Sequence, residues 1–291
     1  MDQPTVQSEV KPRVMGFVLT VSALLIISTN LLVGSALLKL LLKRGCQSWC
    51  YVLNLALADT LVGVAITGLG KTRCLLRMSF VTSPCMASIL TMFLISLDRY
   101  MAIKMPLRYS LMSGKGRTAG SLLAVWISSY TMGFLPVVVP QLQAAAPYDG
   151  FCAFFTVTHD IAIIVMYCLL FFPILSVFIY MYLDILKIAC VHHKQISQIS
   201  HVKALRTVGV LIGCFLVLWS PFFVVCIVHL LCRKCALKEV LENYLWLLGL
   251  LNSLINPLVY ACWQREVRLQ LSDMFSCITN RLLSWLKDSL F

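Results

Sequence analysis

The sequence predicts an all-α membrane protein, built as a seven-transmembrane helix bundle with a short amphipathic eighth helix. Of its 291 residues, 60% are hydrophobic and only 12% are charged, whereas soluble proteins carry about a quarter charged residues. Apolar runs long enough to cross a hydrocarbon core of about 30 Å recur along the chain. Because the bilayer offers no water to hydrogen-bond the backbone, each run must form a helix.

The predicted spans follow one another with short connections. In order they cover residues 14–42, 48–70, 75–103, 118–140, 158–186, 205–231 and 240–262. Residues 1–13 are polar and are expected to form an extracellular tail, followed by a seven-transmembrane domain at 14–263. Residues 264–291 are predicted as an amphipathic helix and a short cytoplasmic tail, since Val267, Leu271, Met274 and Phe275 fall on roughly one face.

The net charge of +12 predicts the orientation of the chain. With the amino terminus outside, sixteen of the 24 lysines and arginines fall on the inner side, in agreement with the positive-inside rule. We therefore expect a multi-pass protein of the plasma membrane. Nucleic-acid binding is the competing interpretation of a basic chain, but the excess charge is spread over four cytoplasmic segments and forms no single basic face.

Two polar motifs lie in the third and seventh spans. Asp98-Arg99-Tyr100 ends the third span on the inside, and Asn252 to Tyr260 reads Asn-Ser-Leu-Ile-Asn-Pro-Leu-Val-Tyr within the seventh. Charged residues in membrane segments are costly and usually functional, and a proline breaks the helical hydrogen-bond ladder. This combination resembles the rhodopsin-like G-protein-coupled receptors.

The resemblance assigns roles in signal transmission. Asp98 is expected to hold Arg99 at rest and to release it toward a G protein, with Tyr100 completing the motif. Leu107, in the second inner loop, is expected to enter the G-protein surface, and arrestin is a further implied partner. Pro221 should kink the sixth span, next to Trp219, which matches the family's toggle residue below the ligand, and Asn256, Pro257 and Tyr260 form the matching switch in the seventh span.

The inner face looks weakly restrained. Many relatives carry an acid at the inner end of the sixth span, but His201 to Arg206 is basic here, and Met181 stands where the family usually has a tyrosine. Losing about 1.4 kcal/mol shifts a two-state ratio tenfold. We therefore predict high basal signalling.

Asp59 is the one acid deep inside a predicted span. The resemblance implies that it holds an allosteric sodium ion; we predict no other cofactor. The alternative is a hydrogen-bonded polar cluster that only holds the helices together. Candidate partners of Asp59 are Asn30, Ser88, Asn252 and Asn256.

Several of the thirteen cysteines lie near the membrane surfaces. The family pattern pairs Cys74, at the outer end of the third span, with Cys152 in the loop before the fifth. Cys232 and Cys235 favour a local disulfide over a redox or zinc half-site, because no second cysteine pair or histidine cluster lies outside. Cys277 lies in the amphipathic tail, where palmitoylation and an unmodified thiol are both open.

The outer cavity favours a lipid ligand. The seventh span lacks the lysine that an opsin needs, and Val81 stands where amine receptors carry an acid. Further strings, among them Leu53 to Leu61 and Trp263 to Leu271, resemble the receptors for fatty-acid ethanolamides such as oleoylethanolamide and for lysolipids. Those receptors couple to the stimulatory G protein and raise cyclic AMP in cells that secrete insulin and incretins. The expected pocket residues are Arg77, Val81, Phe154, Phe155, Trp219, Phe222, Glu242 and Trp246.

Other functions fit the sequence less well. Another lipid or orphan receptor would differ in agonist profile. A small transporter or channel would show internal repeats or several intramembrane charges, and neither is present. An enzyme would need a nucleophile and base or a set of metal ligands, and no catalytic residues are visible.

Overall fold

The structure is a computed structural model that describes residues 6–45, 48–67, 74–112, 114–144, 154, 158–159, 162–163, 172–191, 201–232, 235, 237 and 240–289. The α-helices of these ranges are α1 (Val6–Arg44), α2 (Ser48–Thr67), α3 (Cys74–Lys104), α4 (Pro106–Met112), α5 (Lys115–Val138), α6 (Phe172–Val191), α7 (His201–Leu231), α8 (Trp246–Trp263) and α9 (Arg265–Ser289). A 3₁₀-helix, Pro140–Leu142, follows α5, and a π-helix, Leu241–Leu245, leads into α8.

The helices have the lengths and surfaces of membrane spans. Among the described residues, six helices are long and apolar enough to cross a membrane, and α6 contributes the shorter apolar segment Phe172–Asp184. Large apolar side chains remain exposed on outward faces, such as Leu24 at 60%, Val217 at 72% and Val224 at 59%. Lipid tails solvate such side chains, whereas water would not. The predicted seven-transmembrane bundle is confirmed.

The bundle packs around α3. This helix contacts α2, α5, α6 and α7, while α1 packs on α2, α8 and α9, and α7 packs on α8. A buried polar chain fastens three helices: the indole N–H of Trp126 donates to Asn54 Oδ1 at 2.9 Å, and Asn54 Nδ2 donates to Thr91 Oγ1 at 2.8 Å. Such bonds hold membrane helices together because lipid offers no competing partner.

The structure departs from the predicted boundaries at three places. Helix α1 begins at Val6, so the predicted extracellular tail (1–13) is partly helical. The second inner loop forms the short helix α4, which contains Leu107. The tail helix α9 runs to Ser289, well past Phe275, because the apolar strip that starts at Val267 continues in register through Ile278, Leu282 and Trp285.

Candidate functional site

An apolar cavity of about 780 Å³ opens between α3, α5, α6, α7 and α8. Three of the predicted pocket residues line it: Phe154, Trp219 and Trp246. The wall also contains Thr82, Cys85, Met86, Ile89, Leu90, Ser128, Ser129, Met132, Ile174 and Phe223. The wall is predominantly apolar and aromatic with a few polar groups, which is the usual composition of a small-molecule site.

The other predicted pocket residues lie elsewhere. Val81 is buried beside Ala23, Val62 and Cys85, and Phe222 is buried in the aromatic core; neither is among the residues that line the cavity. Arg77 is half-buried one turn nearer the outer end of α3 than Val81. The backbone of Glu242 lies in the π-helix before α8, and Phe155 lies outside the described residues.

Trp219 forms the floor of the cavity and is fixed by aromatic neighbours. Its indole stacks on Phe223 with ring centroids 5.7 Å apart and meets the ring of Phe222 edge-on at 5.8 Å. Its other side lies against the backbone of Gly249 on α8, where any Cβ would overlap the indole. The lack of a side chain at Gly249 therefore lets α8 approach the tryptophan, a contact that the sequence reasoning missed.

Asp59 on α2 is fully buried and accepts three hydrogen bonds. Ser88 Oγ and Ser253 Oγ each donate to Oδ1 at 2.8 Å, and Asn256 Nδ2 donates to Oδ2 at 2.9 Å. Ser88 and Asn256 are predicted partners, whereas Ser253, which was not predicted, makes the third hydrogen bond and its neighbour Asn252 makes none to Asp59 among the described residues. Successive residues of a helix point about 100° apart, and hydropathy alone did not give the rotation of α8.

Asn30 was also predicted beside Asp59, and it has a different role. Its Nδ2 donates to the backbone carbonyl of Ser253 at 2.9 Å and to that of Ile26 at 2.9 Å. Pro257 has no N–H, so the carbonyl of Ser253, four residues earlier, lacks its usual helical donor. Asn30 supplies that donor, and it thereby joins α1 to α8.

The Asp98–Arg99 pair is present at the inner end of α3. Arg99 Nε donates to Asp98 Oδ2 at 3.0 Å, and a terminal guanidinium nitrogen contacts both Asp98 and Ser48 of α2. Tyr109 of α4 donates to Asp98 Oδ1 at 2.9 Å, and burial, followed by the nearby charge of Asp98, raises the pKa of Tyr109. The sequence reasoning gave no sign of Ser48 or Tyr109.

A second polar cluster joins α3 to α6 at the inner face. Tyr100 Oη donates to Asp184 Oδ2 at 2.8 Å, and Lys104 Nζ donates both to Tyr100 Oη at 2.8 Å and to Asp184. The hydrogen bond to Asp184 raises the pKa of Lys104 above its usual range. Lys104 therefore keeps its charge at neutral pH, and the link is lost as the pH rises through that raised pKa or falls far enough to protonate Asp184.

The remaining predicted residues are placed as follows. Leu107 is 82% exposed on α4, and α7 and α8 continue as helices through Pro221 and Pro257. Tyr260 is buried. Cys232 and Cys235 form a disulfide. Cys74 is disulfide-bonded, and its predicted partner Cys152 lies outside the described residues. Cys277 is an exposed thiol on α9.

Comparison with known proteins adds the following matches. The family model of the seven-transmembrane receptors (rhodopsin family) matches residues 29–260. The glucose-dependent insulinotropic receptor of Homo sapiens is 47% identical over 93% of this chain and 89% of that receptor. The receptor of the same name from Rattus norvegicus is 46% identical over 89% of this chain and 61% of its own length. The histamine H2 receptor of Homo sapiens is 30% identical over 80% of this chain and 71% of that receptor.

Proposed function

Because this chain belongs to the rhodopsin family of seven-transmembrane receptors, we propose that it is a receptor for amphiphilic lipids that signals through the stimulatory G protein. The proposed ligands are fatty-acid ethanolamides, with oleoylethanolamide as the reference compound, and lysolipids. The proposed response is a rise in cyclic AMP, in cells that secrete insulin and incretins. The amino terminus is proposed to lie outside the plasma membrane.

The cavity is the observation that carries this proposal. Its described wall contains no charged side chain, and Phe154, Trp219 and Trp246 give it an aromatic surface. An acyl chain that moves from water into contact with such a wall is stabilised by about 0.8 kcal/mol for each buried CH₂ group. The identity with the insulinotropic receptors extends over most of the chain and supports the proposed role in insulin secretion.

An amine ligand is disfavoured in spite of the similarity to the histamine H2 receptor. A protonated amine in a membrane cavity needs a carboxylate partner, because an unpaired buried charge is costly. The sequence from Cys74 to Leu97 on α3 contains no acidic residue, and Val81 is buried among apolar neighbours. A neutral amphiphile makes no such demand.

The inner face supports coupling to a G protein. Leu107 offers an exposed apolar side chain on α4, and Arg99 lies close by in its pair with Asp98. In the proposed mechanism, ligand contact at Trp219 favours an arrangement in which Arg99 leaves Asp98 and turns to the G protein. Arrestin would use the same inner face.

We propose high basal activity for the same receptor. No acid is present from His201 to Arg206 to hold Arg99 from α7, and Met181 is buried on α6 where a tyrosine would stabilise the open state. Missing restraints worth about 1.4 kcal/mol raise the active fraction tenfold.

A sodium ion is proposed beside Asp59. The carboxylate is fully buried, and Asn252 Oδ1 and Asn256 Oδ1 are buried oxygens without hydrogen-bond partners in the described part of the chain. Carboxylate and amide oxygens suit a hard cation, so this set of residues fits the ion. A bound sodium ion would neutralise the buried negative charge, and Asp59, Ser88, Asn252 and Asn256 would hold it.

Cyclic AMP in cells that express the chain, compared with mock-transfected cells, tests the proposal. We expect a raised signal without ligand and a further rise with oleoylethanolamide. Arg99→Ala serves as the control variant and should remove both. A flat response with confirmed surface expression would refute the ligand and coupling assignments, and the receptor family would stand. A ligand-free signal equal to that of mock cells would refute the basal activity alone.

A further inference from the structure

Two hydrogen-bond donors on the cavity wall have no partner among the described residues. Ser129 Oγ on α5 and Trp219 Nε1 on α7 are both buried, with residue exposures of 0% and 6%. Both residues line the same cavity. A buried donor without an acceptor is destabilising, so the wall favours an occupant that carries hydrogen-bond acceptors.

Ser129 differs from the other buried hydroxyl groups nearby. On α3, Ser79, Ser83 and Ser96 each donate to the backbone carbonyl four residues earlier, at 2.9–3.0 Å. This is the usual solution for a serine inside a helix, because no water is available. Ser129 makes no such bond and instead borders the cavity.

The residues around Ser129 extend the cavity beyond the predicted pocket. We define this extension as the α5 arm, formed by Leu90, Ser128, Ser129 and Met132. None of these residues was predicted as a ligand contact, and they lie on α3 and α5, away from α8. The arm is apolar except for its two serines, so a polar atom that enters it meets Ser128 or the buried Ser129.

We propose that the α5 arm binds the carbonyl group of an acyl lipid and that Ser129 donates a hydrogen bond to its oxygen. This inference rests on the proposed lipid-receptor function and adds to it a determinant of specificity. An amide or ester carbonyl is a strong hydrogen-bond acceptor within a long apolar molecule. Such a group complements the α5 arm, where Ser129, unpartnered in the described part of the chain, offers a donor among apolar side chains. An alkyl lipid without the carbonyl leaves Ser129 unpaired, and such a site discriminates against it.

The test uses the full-length receptor in lipid nanodiscs and two probes. The first probe is oleoylethanolamide, and the second is a straight-chain unsaturated alcohol of the same length, which keeps the chain and the terminal hydroxyl and has only CH₂ groups in place of the amide. Dissociation constants are measured for wild type, Ser129→Ala and Ser128→Ala. Ser128 is the matched control, because it lines the same arm and its residue is exposed.

We expect Ser129→Ala to weaken binding of the amide about tenfold, to leave binding of the alcohol unchanged, and to bring the two affinities closer together. Ser128→Ala should change either affinity less than twofold. Equal amide affinity in wild type and Ser129→Ala would overturn the inference, and so would an equal loss for both probes, since that outcome indicates altered packing. If wild type binds neither probe, the proposed lipid function fails, and the inference fails with it.

Melting of the ligand-free receptor gives an independent check. Since the hydroxyl of Ser129 has no partner in the described part of the bundle, Ser129→Ala should melt at or above the wild-type temperature. A lower melting temperature would show that the hydroxyl is bonded within the bundle, for example to the carbonyl of Val125 after a rotamer change, and would overturn the inference.

Discussion

Gly249→Ala tests the contact between α8 and the tryptophan under the cavity. A Cβ at position 249 would lie 2.8 Å from Cη2 of Trp219, 2.9 Å from Cζ3 and 3.1 Å from Cζ2. Carbon atoms in contact prefer separations of about 3.5–4.0 Å, so the indole or α8 must move. The indole has little freedom, because Phe223 stacks on it and Phe222 meets its edge.

The expected cost follows from this geometry. Overpacking a closely packed core by one methyl group costs about 1–3 kcal/mol. At roughly 2–4 °C for each kcal/mol in a protein of this size, the melting temperature should fall by about 2–12 °C. The displaced indole also borders the cavity, so the affinity for oleoylethanolamide should fall as well.

The assay is thermal melting of the purified receptor in detergent, followed by ligand binding. Gly213→Ala on α7 is the matched control, since a Cβ there meets nothing within 4 Å. The alanine at this helical position should leave the melting temperature unchanged or raise it, because alanine favours helices more than glycine does. A Gly249→Ala receptor that melts with the wild type and binds the ligand equally would refute the assigned contact.

The other predictions concern Asp59 and the inner face. Ser253→Ala removes one of three hydrogen bonds to Asp59 and should lower the melting temperature by roughly 2–4 °C, at about 1 kcal/mol for such a bond within a membrane. Ser28→Ala is the control and should not lower the melting temperature, because the hydroxyl of Ser28 bonds only to the carbonyl of Leu25 in its own helix. Equal melting of the two variants would contradict the assigned bond between Ser253 and Asp59. Asp184→Asn breaks the ion pair with Lys104 and should raise ligand-free cyclic AMP by up to about fivefold, a modest effect because exposed ion pairs are weak; an unchanged or lower signal would exclude this restraint. Leu107→Ala should lower the maximal cyclic AMP response about tenfold, as for an apolar anchor in an interface, without changing the melting temperature, since the side chain is 82% exposed. Ser110→Ala on the same helix is its control, and a normal response of Leu107→Ala would exclude this residue as a G-protein contact.

Hydropathy predicted the spans well because membrane helices must be apolar over a fixed length, whatever their neighbours. Rotation about the helix axis is a different matter. Helix α8 is apolar on most of its faces. Its sequence therefore did not show that Ser253, and not Asn252, makes the hydrogen bond to Asp59. The same limit placed Val81 and Phe222 in the expected pocket, although both are buried in the packing between helices.

The role of Asn30 was within reach of the sequence. Pro257 leaves one carbonyl without a donor four residues earlier, at Ser253, and a buried amide elsewhere in the chain is a natural partner. The contact partners of Asp98 were not within reach, because Ser48 and Tyr109 lie on separate helices whose approach depends on the whole bundle. Ser129 gave no signal either, because the sequence does not show whether a serine in a helix bonds to a carbonyl of its own helix.

The inner face explains why basal activity is expected even though polar links are present. Asp184 ties α6 to Tyr100 and Lys104 of α3, and Asp98 ties Arg99 within α3 and toward α2. Neither link involves an acidic residue of α7, and the sequence from His201 to Arg206 contains none. Since a restraint stabilises only the helices that it joins, the lack of an acid on α7 is not offset by the Lys104–Asp184 pair. Loss of that pair should therefore add to the basal signal, and an intact pair should lower that signal without abolishing it.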